Sequence, residues 1–190
     1  MRLGVREDGG VVLDRVAPVE WVMLRELPEI AASGRGVALD PLGKEVDETT
    51  DYDAASLRED WSQFVEPELR SHFAGQVAVL AGDLEAAETM DASDDPESLI
   101  GDGDGEERGN GMPQRWMRIV IPADHVEPWY GALNQARLAL EASERLGPAL
   151  ELIEELAEMD PRRRRLAVLF LFYGGVQEAL LGRMLGMSGE

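Results

Sequence analysis

Hydrophobic and polar positions change period several times along the chain. Residues 2–6 and 11–15 read as two short strands. Glu7-Asp8-Gly9-Gly10 between them is turn chemistry, which predicts a hairpin. Pro18 stands where a first helical turn tolerates a residue without an N–H. Trp21, Leu24, Leu27 and Ile30 then recur at helical spacing, predicting a helix over 19–30 with a kink or break at Pro28 and an end at Gly34 and Gly36.

Ser56-Leu57-Arg58-Glu59 matches a capping box, in which the serine accepts from the Glu59 amide while the glutamate reaches back. The helix after it carries Trp61, Phe64, Val65, Leu69, Phe73, Val77, Leu80 and Leu84 on one stripe. Pro67 is expected to break it into a short and a long piece, the long one fading near Met90. Residues 116–121 read as a strand that pairs with the hairpin. Asp124 and Glu127 form a second capping-box pattern, opening a helix that runs to Leu146 and is stopped by Gly147-Pro148. Residues 148–159 read as a short acidic helix, and Asp160-Pro161 opens a final helix to about Leu185. The pattern predicts a mainly helical α+β fold: a small antiparallel sheet packed on a helix bundle, with the final apolar helix at the centre of the core.

Residues 34–55 and 91–114 have few apolar anchors and are rich in acidic and turn-forming residues. Such segments bury too little surface to offset the entropy of ordering, so mobile acidic loops are expected there. The whole chain, residues 1–190, then reads as one domain. A chain of this length buries roughly 70% of its unfolded surface and needs no covalent staple.

Charge narrows the function classes. Lys+Arg number 18 and Asp+Glu 38, for a net charge of −20. Such a surface repels polyanions and acidic lipid headgroups, which disfavours direct nucleic-acid or membrane-surface binding. Cysteine is absent, which removes disulfides, thiolate metal sites and thiol catalysis. His72 and His125 are the two histidines, too few for a multi-histidine metal site. Residues 1–10 contain no apolar run, so no export signal is expected and the cytoplasm is the default compartment. The longest uncharged apolar stretch, 166–176, spans about 16 Å as helix against about 30 Å of bilayer hydrocarbon, and reads as a buried helix.

Candidate chemistry is sparse. Asp102-Gly103-Asp104-Gly105-Glu106 hints at a calcium loop, but Glu107 and Pro113 occupy the positions that want glycine and a bidentate glutamate. Glu68 and His72 share a helix face without a second such pair, so no metal centre is expected. His125 has no nucleophile beside it in the sequence and reads as structural or exposed. No phosphate loop, dinucleotide fingerprint or nucleophile elbow is present, so neither catalytic nor cofactor-binding residues are assigned. Arg162, Arg163, Arg164 and Arg165 form a candidate partner-binding patch. The competing expectation is neutralisation by Glu151, Glu154, Glu155, Glu158 and Asp160 just before them.

Arg137 lies in an apolar helical stripe with Trp129, Leu133 and Leu140, so it must find a partner, because an unpaired buried charge is very costly. On the last helix Phe170, Tyr173, Gln177 and Leu181 share one face, with Glu178 beside it on the face of Gly174, Gly175 and Gly182. These spacings predict a structural polar clamp of Arg137 with Gln177 or Glu178 between two packed helices.

The segments at 120–140 (VIPADHVEPWYGALNQARLAL) and 166–185 (LAVLFLFYGGVQEALLGRML) resemble a bacterial family, domain of unknown function 2017. The helix at 60–84 and the opening hairpin fit the same layout, and Trp129, Leu133, Asn134, Arg137, Leu138 and Leu140 are its most specific run. The family is similar to the actinomycete-type oxidative stress regulator. That resemblance implies a cytoplasmic protein that senses oxidation through a cysteine pair and engages an alternative sigma factor. Without cysteine, thiol sensing cannot operate in this chain, whereas sigma-factor engagement needs only a surface. Family genes also tend to lie near the Clp protease adaptor, which implies a link to proteolysis.

The leading expectation is therefore a non-enzymatic regulator that binds a protein partner, a sigma factor or a Clp component, through a surface suited to a basic face. An accessory role in regulated proteolysis is the alternative, and an enzyme with a carboxylate pair in a helical cleft is a third. The sequence is compatible with a homo-oligomer.

Overall fold

A computed structural model of the chain describes residues 1–33, 56, 58–91, 115–146 and 148–184. The hairpin forms where its turn residues place it: β1 (Arg2–Val5) pairs antiparallel with β2 (Val11–Val16), with Leu3 opposite Leu13. Gly9 takes φ +83°, a conformation open to glycine at no steric cost. A Cβ on Gly10 would stand 2.8 Å from the Ile121 carbonyl oxygen, so the missing side chain lets the neighbouring strand close in.

The sheet has four antiparallel strands rather than the three expected. β3 (Glu88–Asp91) and β4 (Arg115–Ile121) complete the order β1-β2-β4-β3. The sequence predicts helix as far as about Met90. The helix ends at Glu85, and Met90 pairs with Trp116 instead. Glu-Thr-Met-Asp has weak strand propensity of its own, and pairing with β4 supplies the backbone partners. In β2 the register against β4 shifts between Leu13 and Val16, where Arg15 sits at φ +51°. Strict alternation would turn residue 15 inward. The bulge inserts one residue and returns Val16 to the core beside Leu13.

Five helices pack on the inner face of the sheet and on one another. α1 (Pro18–Ser33) runs through Pro28 as one element and buries Leu24, Leu27 and Ala31. Ser56 and residues 58–60 are already helical, and Leu57 of the expected capping box lies outside the described residues. Pro67 does not break the next helix. A single π turn, Trp61–Val65, precedes α2 (Glu66–Glu85), and the Glu66 N–H donates to the Trp61 carbonyl. The wider turn accommodates the proline that follows it.

α3 (Val126–Glu144) is preceded by a 3-10 turn at Ala123–His125, so the expected Asp124–Glu127 capping box does not form. α3 stops at Arg145, which takes the left-handed conformation at φ +50°, two residues before the predicted stop; Gly147 lies outside the described residues. α4 is Ala149–Glu155 and α5 is Pro161–Met184. Asp160 Oδ1 accepts from the Arg162 and Arg163 amides at 3.0 and 3.1 Å and caps α5, as its sequence signal predicts.

α3, not α5, is the centre of the core. It packs against α1, α2 and α5, and Trp129, Ala132, Leu133 and Ala136 on it are fully buried. Its alanines let three neighbours approach at once, whereas α5 lies to one side and packs mainly on α3. By length and composition the 22-residue stretch Pro161–Gly182 is apolar enough to cross a membrane. In this fold 39% of its apolar window is inside the protein, and Tyr173, Val176 and Leu180 are core residues. The segments 34–55 and 91–114, expected as acidic loops, lie outside the described residues except for Asp91, which ends β3.

Candidate functional site

The α3–α5 contact brings Arg137 and Gln177 together. Arg137 Nη1 donates to Gln177 Oε1 at 2.6 Å. The guanidinium carbon lies 4.9 Å from the centre of the Phe170 ring, a cation–π distance. A Cβ on Gly174 would stand 3.5 Å from Arg137 Nε and 3.7 Å from Cζ, so Gly174 leaves the room that the guanidinium fills. Phe170, Gly174 and Gln177 fall at i, i+4 and i+7, so one line of α5 cradles the arginine. Glu178 lies on the exposed side and makes no ion pair with Arg137.

The arginine floors an open cleft of about 470 Å³ between α3, α4 and α5. Tyr130, Ile153, Phe170, Leu171 and Leu181 give it apolar walls, and Glu178 stands among its lining residues. Arg137 Nε is buried and has no hydrogen-bond partner among the described residues. An unmet buried donor costs roughly 1–3 kcal/mol.

The arginine run is largely engaged within the fold. Arg162 pairs with Glu144 at 2.8 Å and Arg165 with Glu26 at 2.5 Å. Arg164 donates to the carbonyls of Leu156, Ala157 and Met159 at 2.7 to 2.9 Å, holding the turn between α4 and α5. The neutralising acids therefore come from α3 and α1, and not from the acids of α4. Arg163 projects into solvent, and among the described residues its side chain has no hydrogen-bond or ionic partner.

A second polar node went unread in the sequence. Asp83 of α2 is 9% exposed, and its Oδ2 accepts the indole N–H of Trp129 at 2.8 Å. His125 Nδ1 lies 3.0 Å from both oxygens of the same carboxylate. This node ties the 3-10 turn and α3 to α2. Another link crosses from α5 to α1: Tyr173 Oη donates to the Met23 carbonyl at 2.8 Å. Burial, with the Glu26 charge adding to it against Arg165, pushes the Tyr173 phenol well above its ordinary range.

His72 does not pair with Glu68. Its Nε2 is 3.0 Å from Gln76 Nε2, and its ring meets Phe73 edge-on. Among the described residues no group of three or more His, Cys, Asp or Glu could hold a metal ion. The Asp102–Glu106 candidate falls outside them.

The apolar stripe of α2 divides at the π turn. Val77, Leu80 and Leu84 are buried, whereas Phe64 is 64% exposed and Val65 36%. Trp61, Leu69 and Phe73 are half-buried. A π turn adds one residue, about 100° of rotation, so side chains ahead of it leave the line of those behind. Glu59, Asp60 and Glu68 flank this apolar strip and are exposed. The result is a helical face with aromatic character and an acidic border.

A search of the curated proteins finds no match, and a search of the solved structures finds none either. One family model, described as Domain of unknown function (DUF2017), matches residues 1–184, which takes in every element of the fold from β1 to the end of α5. The chain belongs to that family.

Proposed function

We propose that the chain is a non-enzymatic regulatory protein that acts by docking a protein partner on the π turn that leads into α2. The observation that carries this reading is the exposed strip around Phe64 and Val65, with acidic Glu59, Asp60 and Glu68 at its border. Exposed aromatic surface with polar edges is typical of interaction sites. An acidic rim on a chain of net charge −20 steers a basic partner and repels nucleic acid. Arginines 162, 164 and 165 are committed within the fold, which moves the proposed partner surface away from them.

A basic, DNA-facing surface of a sigma factor has the required chemistry, and the resemblance drawn from the sequence leads there. Regulation of that kind would proceed here without thiol sensing, since the chain has no cysteine. A component of Clp-type proteolysis is the alternative partner. Capture of partners by the full chain and by Phe64→Asp, in the cytoplasmic lysate of the source organism, tests the reading and separates the two. Loss of the same partner from the variant supports it. Equal recovery overturns it.

A further inference from the structure

We infer that the cleft between α3, α4 and α5 binds a monocarboxylic acid with an apolar body, which Arg137 holds by its charge. The inference is independent of the docking face at the π turn before α2. Arg137 makes one side-chain hydrogen bond, from Nη1 to the neutral amide of Gln177, and its positive charge has no carboxylate partner among the described residues. Nε is buried against Gly174, whereas Nη2 has no hydrogen-bond partner among the described residues and is not buried, so Nη2 is the donor that a carboxylate in the cleft can meet.

Phe170 and Gly174 hold the guanidinium plane in place, which lowers the ordering cost of binding. Ile153, Leu171 and Leu181 line the cleft with the arginine, and a cleft of about 470 Å³ lies in the size range of small-molecule sites. The ligand's charge is bounded as well. A single cation with Glu178 among the lining residues, on a chain of net charge −20, disfavours a phosphate dianion or a polyanion more than a single carboxylate.

The experiment uses the full chain, with backbone amide NMR shifts of Gly174 and Gly175 as the readout and 3-phenylpropionate, octanoate, 3-phenylpropionamide and inorganic phosphate as probes. The expected result is saturable shifts with at least one of the two acids, and an affinity at least about tenfold weaker for the neutral amide, the usual effect of losing a charge-assisted pair. Arg137→Met keeps the apolar stem and should abolish acid binding. Should that variant not fold, Ile153→Glu places a negative charge at an exposed rim position and should weaken acid binding severalfold in a folded protein. Absence of saturable shifts with both acids overturns the inference. So does binding of the amide as tight as the acid, tighter binding of phosphate, or acid binding unchanged in the variants.

Discussion

Asp83 on α2 accepts the indole N–H of Trp129 on α3 at 2.8 Å, joining the central helix to the helix that follows the exposed apolar strip. Trp129 is fully buried, and the same carboxylate holds His125 at the start of α3. Asp83→Ala would leave a buried indole donor without an acceptor. The expected loss is about 2 kcal/mol of stability, read as a lower urea midpoint with an unchanged slope. A variant as stable as the parent would show that the node is not a structural tie.

Arg145 ends α3 at φ +50°, where an L side chain crowds the carbonyl that follows it. Arg145→Gly should therefore stabilise the chain by about 1 kcal/mol, seen as a higher thermal midpoint. A lower midpoint would mean that the exposed arginine contributes more than its backbone strain removes.

Asp14 and Arg118 pair across β2 and β4 at 3.1 Å. Burial pushes the Asp14 carboxyl up, but the Arg118 hydrogen bond and charge, helped by Arg15, outweigh it and hold the carboxyl below its ordinary value of 3.8. A folded-state value below the unfolded one gives stability that is present above the ordinary carboxylate range and lost as pH falls through the lowered value. Both side chains are about a third exposed, at 37% and 34%, so solvent screening limits the effect to at most ~1 kcal/mol. Urea unfolding at pH 6 and near pH 3 should show a smaller acid loss for Asp14→Asn than for the parent. An identical loss would assign the acid sensitivity to other carboxylates.

Tyr173 is one of 3 tyrosines, and its hydroxyl is used by the Met23 carbonyl. Because burial raises its phenol, stability from this group is present below the ordinary tyrosine range and lost as pH rises above it. Ultraviolet titration should show one tyrosine ionising only with unfolding. Tyr173→Phe should remove that late step and cost about 1 kcal/mol, since the Met23 carbonyl loses this donor. A smooth titration of all tyrosines in the folded protein would contradict this hydrogen bond.

What the sequence discloses follows the range of the forces involved. The hairpin was legible because Asp8 and Gly9 make a turn with their own neighbours, and the start of α5 because Asp160 caps amides two and three residues away. The facing of Arg137 and Gln177 was legible because each sits on a regular apolar stripe of a long helix. β3 was not, because its backbone partners come from β4 rather than from its own propensity. Asp83 reads as one more acid near a helix end, and its partners lie 42 and 46 residues away. Glu26 meets Arg165 across 139 residues, a distance at which local charge patterns predict nothing. The division of the α2 stripe arose from a π turn, which one-period pattern reading does not include.

The central claim is that the strip around Phe64 docks a basic protein partner. Its most direct test is parallel affinity capture with the parent chain and Phe64→Asp, each shown by circular dichroism to be folded, at low and at high salt. The account predicts that the parent recovers a sigma factor or a polymerase subunit, that high salt weakens recovery, and that the variant recovers none of it. Equal recovery by parent and variant, or a parent that captures no protein at low salt, would contradict it.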